Sequence, residues 1–116
     1  EPVMMLIDSA PARVMYVPGT DWYSMTIEFA GGQVATLTGY DKGSPFLMNV
    51  TAASGSRIIE VKSDYFHNFI AHLVSFFRDP SQAVPHEETL RIMAVRGAGL
   101  EAIRRPGEWV PVSLEN

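Results

Sequence analysis

Three histidines, 13 acidic residues and one glycine-rich stretch are where this 116-residue chain could carry chemistry. His67 and His72 are five positions apart, so they do not share a helix face as i, i+4 metal ligands would. His86 stands apart from both, and no H-E-x-x-H or comparable ligand spacing occurs. No metal site is expected. Glu87 and Glu88 are adjacent carboxylates, but they suit the positive end of a helix better than general acid–base work. Glu87 and Arg91 would add an i, i+4 pair of about 0.3–0.5 kcal/mol. Serine, histidine and aspartate are all present without a G-x-S-x-G elbow to arrange them, so no catalytic triad is expected. The chain has no cysteine, which excludes disulfides, zinc–thiolate centres and thiol catalysis.

The glycine-rich stretch Gly97-Ala98-Gly99-Leu100-Glu101-Ala102 has the form G-x-G-x-x-A. A dinucleotide fingerprint needs a strand before it, a full helix after it and an acidic residue roughly 20 positions on. Here Pro106 leaves little more than a turn after Gly99, and Pro85, Glu87 and Glu88 start a helix upstream. The two glycines are therefore expected inside a helix, where they permit close packing. No cofactor is expected in this chain.

The richest polar patch is the loop Tyr40-Asp41-Lys42-Gly43-Ser44-Pro45-Phe46, with a cation, a hydroxyl and aromatics between two strands. Trp22 and Tyr23 start another strand and are expected near this loop or at an interface. Ordinary turn chemistry accounts for the loop. The alternative is a rim, made by Trp22, Tyr23, Tyr40 and Lys42, that meets a substrate or another domain. Asn49-Val50-Thr51 is a formal glycosylation sequon inside an expected strand.

These groups are held by a chain that is 47% apolar and 19% charged, a globular composition. Its length suits a single domain, residues 1–116. The net charge of −4 argues against a nucleic-acid partner, which calls for a basic excess. The longest apolar run is five residues (3–7), too short to span a membrane. A cytoplasmic location is expected. The chain begins with Glu1 rather than methionine, so a processed, cut or tagged product is expected.

Residues 2–8 fit a short helix slightly better than a strand, since Val3, Leu6 and Ile7 sit at i, i+3, i+4. Residues 12–17 read as a strand closed by Pro18-Gly19. Residues 22–29 alternate, with Met25, Ile27 and Phe29 opposite Ser24, Thr26 and Glu28. Ala30-Gly31-Gly32 then supplies the positive φ angles of a hairpin turn into a strand at 33–40. Strands are expected at 46–52 and 57–61. From Asp64 the period lengthens: Phe66, Phe69, Ile70, Leu73, Val74, Phe76 and Phe77 mark an amphipathic helix that Ser63 or Asp64 can cap. Phe69 and Leu73 are expected to face the sheet. A second helix is expected at 86–104, stopped by Pro106-Gly107, before a short edge strand at 108–113. Strands segregated from helices predict an α+β fold: a mainly antiparallel open sheet with two C-terminal helices packed on one face.

Composition and spacing define this fold class without defining a function. The stretch Asp64-Tyr65-Phe66-His67-Asn68-Phe69-Ile70 carries a resemblance that extends through Val74-Ser75-Phe76-Phe77 and Val84-Pro85-His86-Glu87-Glu88-Thr89-Leu90. It continues in Met93-Ala94-Val95-Arg96 and Pro106-Gly107-Glu108-Trp109-Val110. Together these resemble the C-terminal end of the glucose–fructose oxidoreductase / inositol dehydrogenase / MocA (Gfo/Idh/MocA) family. Thr26-Ile27-Glu28-Phe29 before a glycine turn, and residues 34–40 after it, look similar too. The resemblance implies an upstream Rossmann domain that binds NAD or NADP, and a sheet that helps form the substrate pocket and the oligomer interface. The family's glycine fingerprint and Glu-Lys-Pro motif are absent here. Its catalytic histidine would precede residues 1–8, which look like the tail of the helix that carries it. The resemblance thus implies the truncated C-terminal substrate and oligomerisation domain of an NAD(P)-dependent dehydrogenase, acting on a sugar, polyol or related hydroxyl compound. It implies no catalytic or cofactor residue in this chain, which alone is expected to be inactive. A homo-oligomer formed through the sheet is expected. The alternative is a free-standing, non-enzymatic dimerisation module, consistent with Met15, Met25 and Met48 on its strands.

Overall fold

The structure, a computed structural model, describes residues 2–114. Glu1, on which the expectation of processing rests, lies outside the described residues. The chain divides into two compact units, one of Glu1–Gly43 with Val84–Asn116 and the other of Ser44–Ala83.

The first unit holds helix α1 (Pro2–Leu6), strands β1 (Pro11–Pro18), β2 (Trp22–Phe29) and β3 (Val34–Tyr40), and, after the second unit, helix α3 (His86–Arg104) and strand β6 (Trp109–Pro111). Its strands form one antiparallel sheet in the order β3-β2-β1-β6. The alternation in residues 22–29 decides which way this sheet faces. Ile27 and Phe29 join Val14 of β1 and Val110 of β6 in the core, and Val14 is fully buried. From the helix, Ala98 and Ala102 close the same core. A small-residue face lets α3 sit close to the sheet, and a Cβ on Gly99 would lie only 3.1 Å from Met25 Cε. Val3 and Met4 of α1 pack against the edge of this core.

The β2–β3 turn is the expected Ala30-Gly31-Gly32, with one positive φ in place of several. Phe29 N–H donates to Gln33 O at 2.9 Å, and only Gly32 takes a positive φ, +83°. Helix α3 has the limits expected from sequence. It follows Pro85, carries Glu87 and Glu88 in its first turn and Arg104 in its last, and ends before Gly107 at φ +80°. Gly107 N–H then donates to Tyr16 O at 2.8 Å, which ties the end of the helix back to β1. Arg91 does not make the expected pair with Glu87 among the described ion pairs; its Nη1 lies 3.5 Å from the carbonyl oxygen of Asp8.

The two helical glycines have different surroundings. Gly99 is buried against Met25, whereas a Cβ on Gly97 meets nothing within 4 Å. Close packing therefore accounts for Gly99 and not for Gly97. Gly97→Ala is expected to stabilise this unit by about 0.5–1 kcal/mol, because alanine gives up less backbone freedom on entering a helix. Urea unfolding followed by tryptophan emission checks this directly, since both tryptophans, Trp22 and Trp109, lie in this unit.

The second unit holds the hairpin of β4 (Leu47–Ala52) and β5 (Gly55–Glu60), helix α2 (Tyr65–Arg78) and a 3-10 turn (Pro80–Gln82). Asn49 Oδ1, within the sequon, accepts from the Ser56 hydroxyl at 2.8 Å across the hairpin. Asp64 caps α2 through a 3.0 Å bond from His67 N–H, as its sequence position predicts. The burial expected of Phe69 and Leu73 is not found: Phe69 is 59% exposed and Leu73 38%. The apolar spacing of α2 correctly marks one face of a helix, but spacing carries no information about what covers that face. The α+β class, with a mainly antiparallel sheet and helices packed on it, is as expected.

Candidate functional site

Side chains alternate along a strand, so a sheet sealed on one face presents a second, unlike face. In the first unit α3 seals the face of Val14, Ile27 and Val110. Their strand neighbours point the other way. Arg13 stands directly opposite Glu28, and Arg13 Nε bonds Glu28 Oε2. The same guanidinium lies over the Trp109 ring of β6, 4.4 Å from its centroid. Each contact is partly exposed. The cation–π contact contributes about 0.5–1 kcal/mol, and the ion pair no more than about 1 kcal/mol. Their main effect is geometric: they hold a cation over an indole with its charge balanced. Next along this face, Thr26 and Thr36 stand opposite each other with their hydroxyl oxygens 3.4 Å apart.

Trp22 and Tyr40 stand opposite each other at the far end of the same face. Trp22 covers Gly19 so closely that any Cβ there would fall inside the indole. Beyond Tyr40, Asp41 N–H donates to Asp21 O at 3.1 Å and Gly43 N–H donates to Tyr40 O at 2.9 Å. These bonds fix the turn that carries the exposed Lys42 at the end of the sheet where Trp22 and Tyr40 sit. The structure therefore brings three of the four sequence candidates together.

Tyr23 is the exception. It follows Trp22 directly, so the strand turns it to the helix side. There its ring stacks on Tyr16, with centroids 6.1 Å apart, and roofs Gly39. Period-2 alternation alone carried that signal. Sequence reasoning missed the cluster of Arg13, Glu28 and Trp109, in which Arg13 joins its neighbouring strand to β6, far along the chain. No local spacing announces a β1–β6 contact.

The arrangement offers aromatic surface for stacking, hydroxyls for hydrogen bonding and one neutralised charge pair. That suits contact with a flat, partly polar partner. Among the described residues, no group of three histidine, aspartate or glutamate side chains is placed to hold a metal ion. Two clefts open elsewhere on the first unit. One, of about 260 Å³, lies between α1 and the start of α3 and is lined by Met4, Asp8, Glu88 and Arg91 among others. The other, of about 150 Å³, is lined by Leu90, Met93, Ala94, Ser113 and Leu114. Both fall below the roughly 300–1,000 Å³ of ordinary small-molecule pockets. No described helix is long and apolar enough to cross a membrane.

Comparison with known proteins adds no relative: no family model, curated protein or solved structure matches the chain.

Proposed function

We propose that this chain is the substrate-side and assembly domain of an NAD(P)-dependent oxidoreductase of the Gfo/Idh/MocA type, working in the cytoplasm. The redox carrier, NAD or NADP, would be held by an N-terminal Rossmann domain upstream of this sequence. The substrate would be a sugar, a polyol or a related hydroxyl compound. The domain would orient that substrate and join copies of the enzyme through its sheet, contributing to the rate by alignment and not by bond-making. The observation that carries this reading is the asymmetry of the sheet. α3 covers the Val14, Ile27 and Val110 part of one face, while the other presents Trp22, Tyr40 and Trp109 with threonine hydroxyls between them. Stacking aromatics and fixed hydroxyls suit a sugar ring or the like face of another subunit.

Calorimetric titration of NADH and NADPH into this chain tests the division of labour. No binding heat is expected, since the carrier belongs to the other domain. Micromolar affinity for either nucleotide would overturn the reading.

A free-standing dimerisation module is the second reading, favoured by the apolar side chains of Met15 and Val17 among the polar ones on the same face. Fusing a Rossmann domain upstream, together with the histidine-bearing helix that the resemblance places before residues 1–8, separates the two. Turnover of a polyol by the fusion supports the oxidoreductase, and assembly without turnover supports the module.

A further inference from the structure

The sheet of the first unit has two outer strands, and only one of them is blunted. β6 is three residues long and ends in Pro111, which suits an edge that pairs with nothing further. β3 has seven residues, Val34-Ala35-Thr36-Leu37-Thr38-Gly39-Tyr40, with no charge, no proline and no break in its register against β2. An outer strand of that kind is a template for another strand. Among the described residues no strand lies beyond it.

The hydrogen bonds fix which of its groups point outward. Phe29 pairs with Gln33 and Asp21 with Asp41 through N–H to O bonds, so in this register the odd-numbered residues of β3 bond inward to β2. Val34, Thr36 and Thr38 therefore turn their backbone N–H and C=O groups to the outer edge. We propose that this edge pairs with β3 of a second copy of the chain, antiparallel and centred on Leu37, to give one continuous eight-stranded sheet across a two-fold axis. The proposal rests on the reading of the sheet as an assembly surface and is independent of the redox chemistry.

The sequence of β3 reads nearly the same in both directions about Leu37. That register sets Thr36 against Thr38, Ala35 against Gly39, Val34 against Tyr40 and Leu37 against itself. Outward-pointing residues meet outward-pointing residues, as an antiparallel ladder requires. Alanine falls opposite the glycine that Tyr23 roofs, so the small pair leaves that ring in place. Both ends of β3 turn away, at Gly32 and at the Gly43 N–H to Tyr40 O bond, so the paired stretch stops at Val34 and Tyr40 and contains no charged residue. The other strands lack this symmetry. β4 is uncharged but has six residues, so full overlap with itself would set outward groups against inward ones. β5 carries Arg57 and Glu60. A two-fold dimer of this kind would join the two open faces into one surface, with both copies of Trp22 and Tyr40 near its middle.

The absence of native cysteine makes the test clean. Leu37→Cys places two thiols opposite each other in a non-hydrogen-bonded pair, where Cα atoms stand about 4.5 Å apart and a disulfide fits. Under mild oxidation most of this variant is expected to become a covalent dimer. Ala35→Cys, whose own copy would lie roughly 13 Å along the strand, is expected to stay uncrosslinked. Thr36→Pro removes an outward N–H, and the hydroxyl opposite Thr26, without taking a ladder bond from β2; it is expected to be monomeric by sedimentation while keeping its tryptophan emission. A dimer that crosslinks through Met15→Cys on the open face, and not through Leu37→Cys, would overturn edge pairing and leave the assembly reading standing. A folded Thr36→Pro variant that remains dimeric would also overturn it. A parent chain that is monomeric throughout would remove both.

Discussion

Replacing Phe29 by alanine is expected to lower the stability of the sheet unit by about 3–5 kcal/mol, a large share of the roughly 5–15 kcal/mol that holds a domain folded. Phe29 is 2% exposed and is, with Val14, one of the two largest fully buried side chains among the described residues. Its removal leaves a cavity between sheet and helix that the backbone on both sides resists closing. Urea unfolding followed by tryptophan emission reads this unit alone. The same experiment on Phe69→Ala is expected to move the transition by no more than about 0.5 kcal/mol, because exposed positions away from a packed core tolerate truncation. A reversal of the two results would show that α2, not α3, lines the core.

The second large effect is expected at Ala102, where the helix meets the sheet. Ala102 is fully buried, and Ala98 and Val14 belong to the same cluster. Ala102→Asp would bury a carboxylate with no partner, at a cost of about 3–5 kcal/mol. It is expected to remove most of the cooperative transition. Ala102→Ser is far smaller in volume and charge and serves as the matched control. A variant Ala102→Asp that unfolds at the parent's urea concentration would place this helix face in solvent and contradict the core described above.

These two sites also show how far the sequence could be read. Helix α3 was legible at its ends, because Pro85, the paired glutamates and Pro106-Gly107 are local signals. Its packing face was not. Ala98, Gly99 and Ala102 are small, and a stripe of small residues makes no apolar period even though it permits the closest approach. Helix α2 is the opposite case. Its phenylalanines and leucine give the clearest helical period in the chain, yet no residue of α2 is buried. A strong stripe identifies a face that favours cover; it does not identify the cover. The strands were legible where one face is polar, as in residues 22–29, and less so at their ends. β6, expected at 108–113, spans Trp109–Pro111; Val112 N–H still bonds Ala12 O at 2.9 Å, where β1 bulges between Pro11 and Arg13.

For the candidate face, the aromatics were visible and their sorting was partly so. Trp22 and Tyr40 lie across one hairpin, and counting back from Gly31-Gly32 brings them level. Tyr23 belongs to the other face by alternation alone. Arg13 and Trp109 meet only because β6 returns to β1 after two hairpins and two helices, a long-range pairing that no window of sequence contains.

The central claim is that this chain works by contact, through a sheet kept open on one face for a partner. Sedimentation equilibrium of the unmodified chain over a wide concentration range tests it most directly. A reversible monomer–dimer equilibrium is the predicted result, and its shift to monomer in Thr36→Pro would assign the contact to the β3 edge. A single monomeric species up to the solubility limit would contradict it.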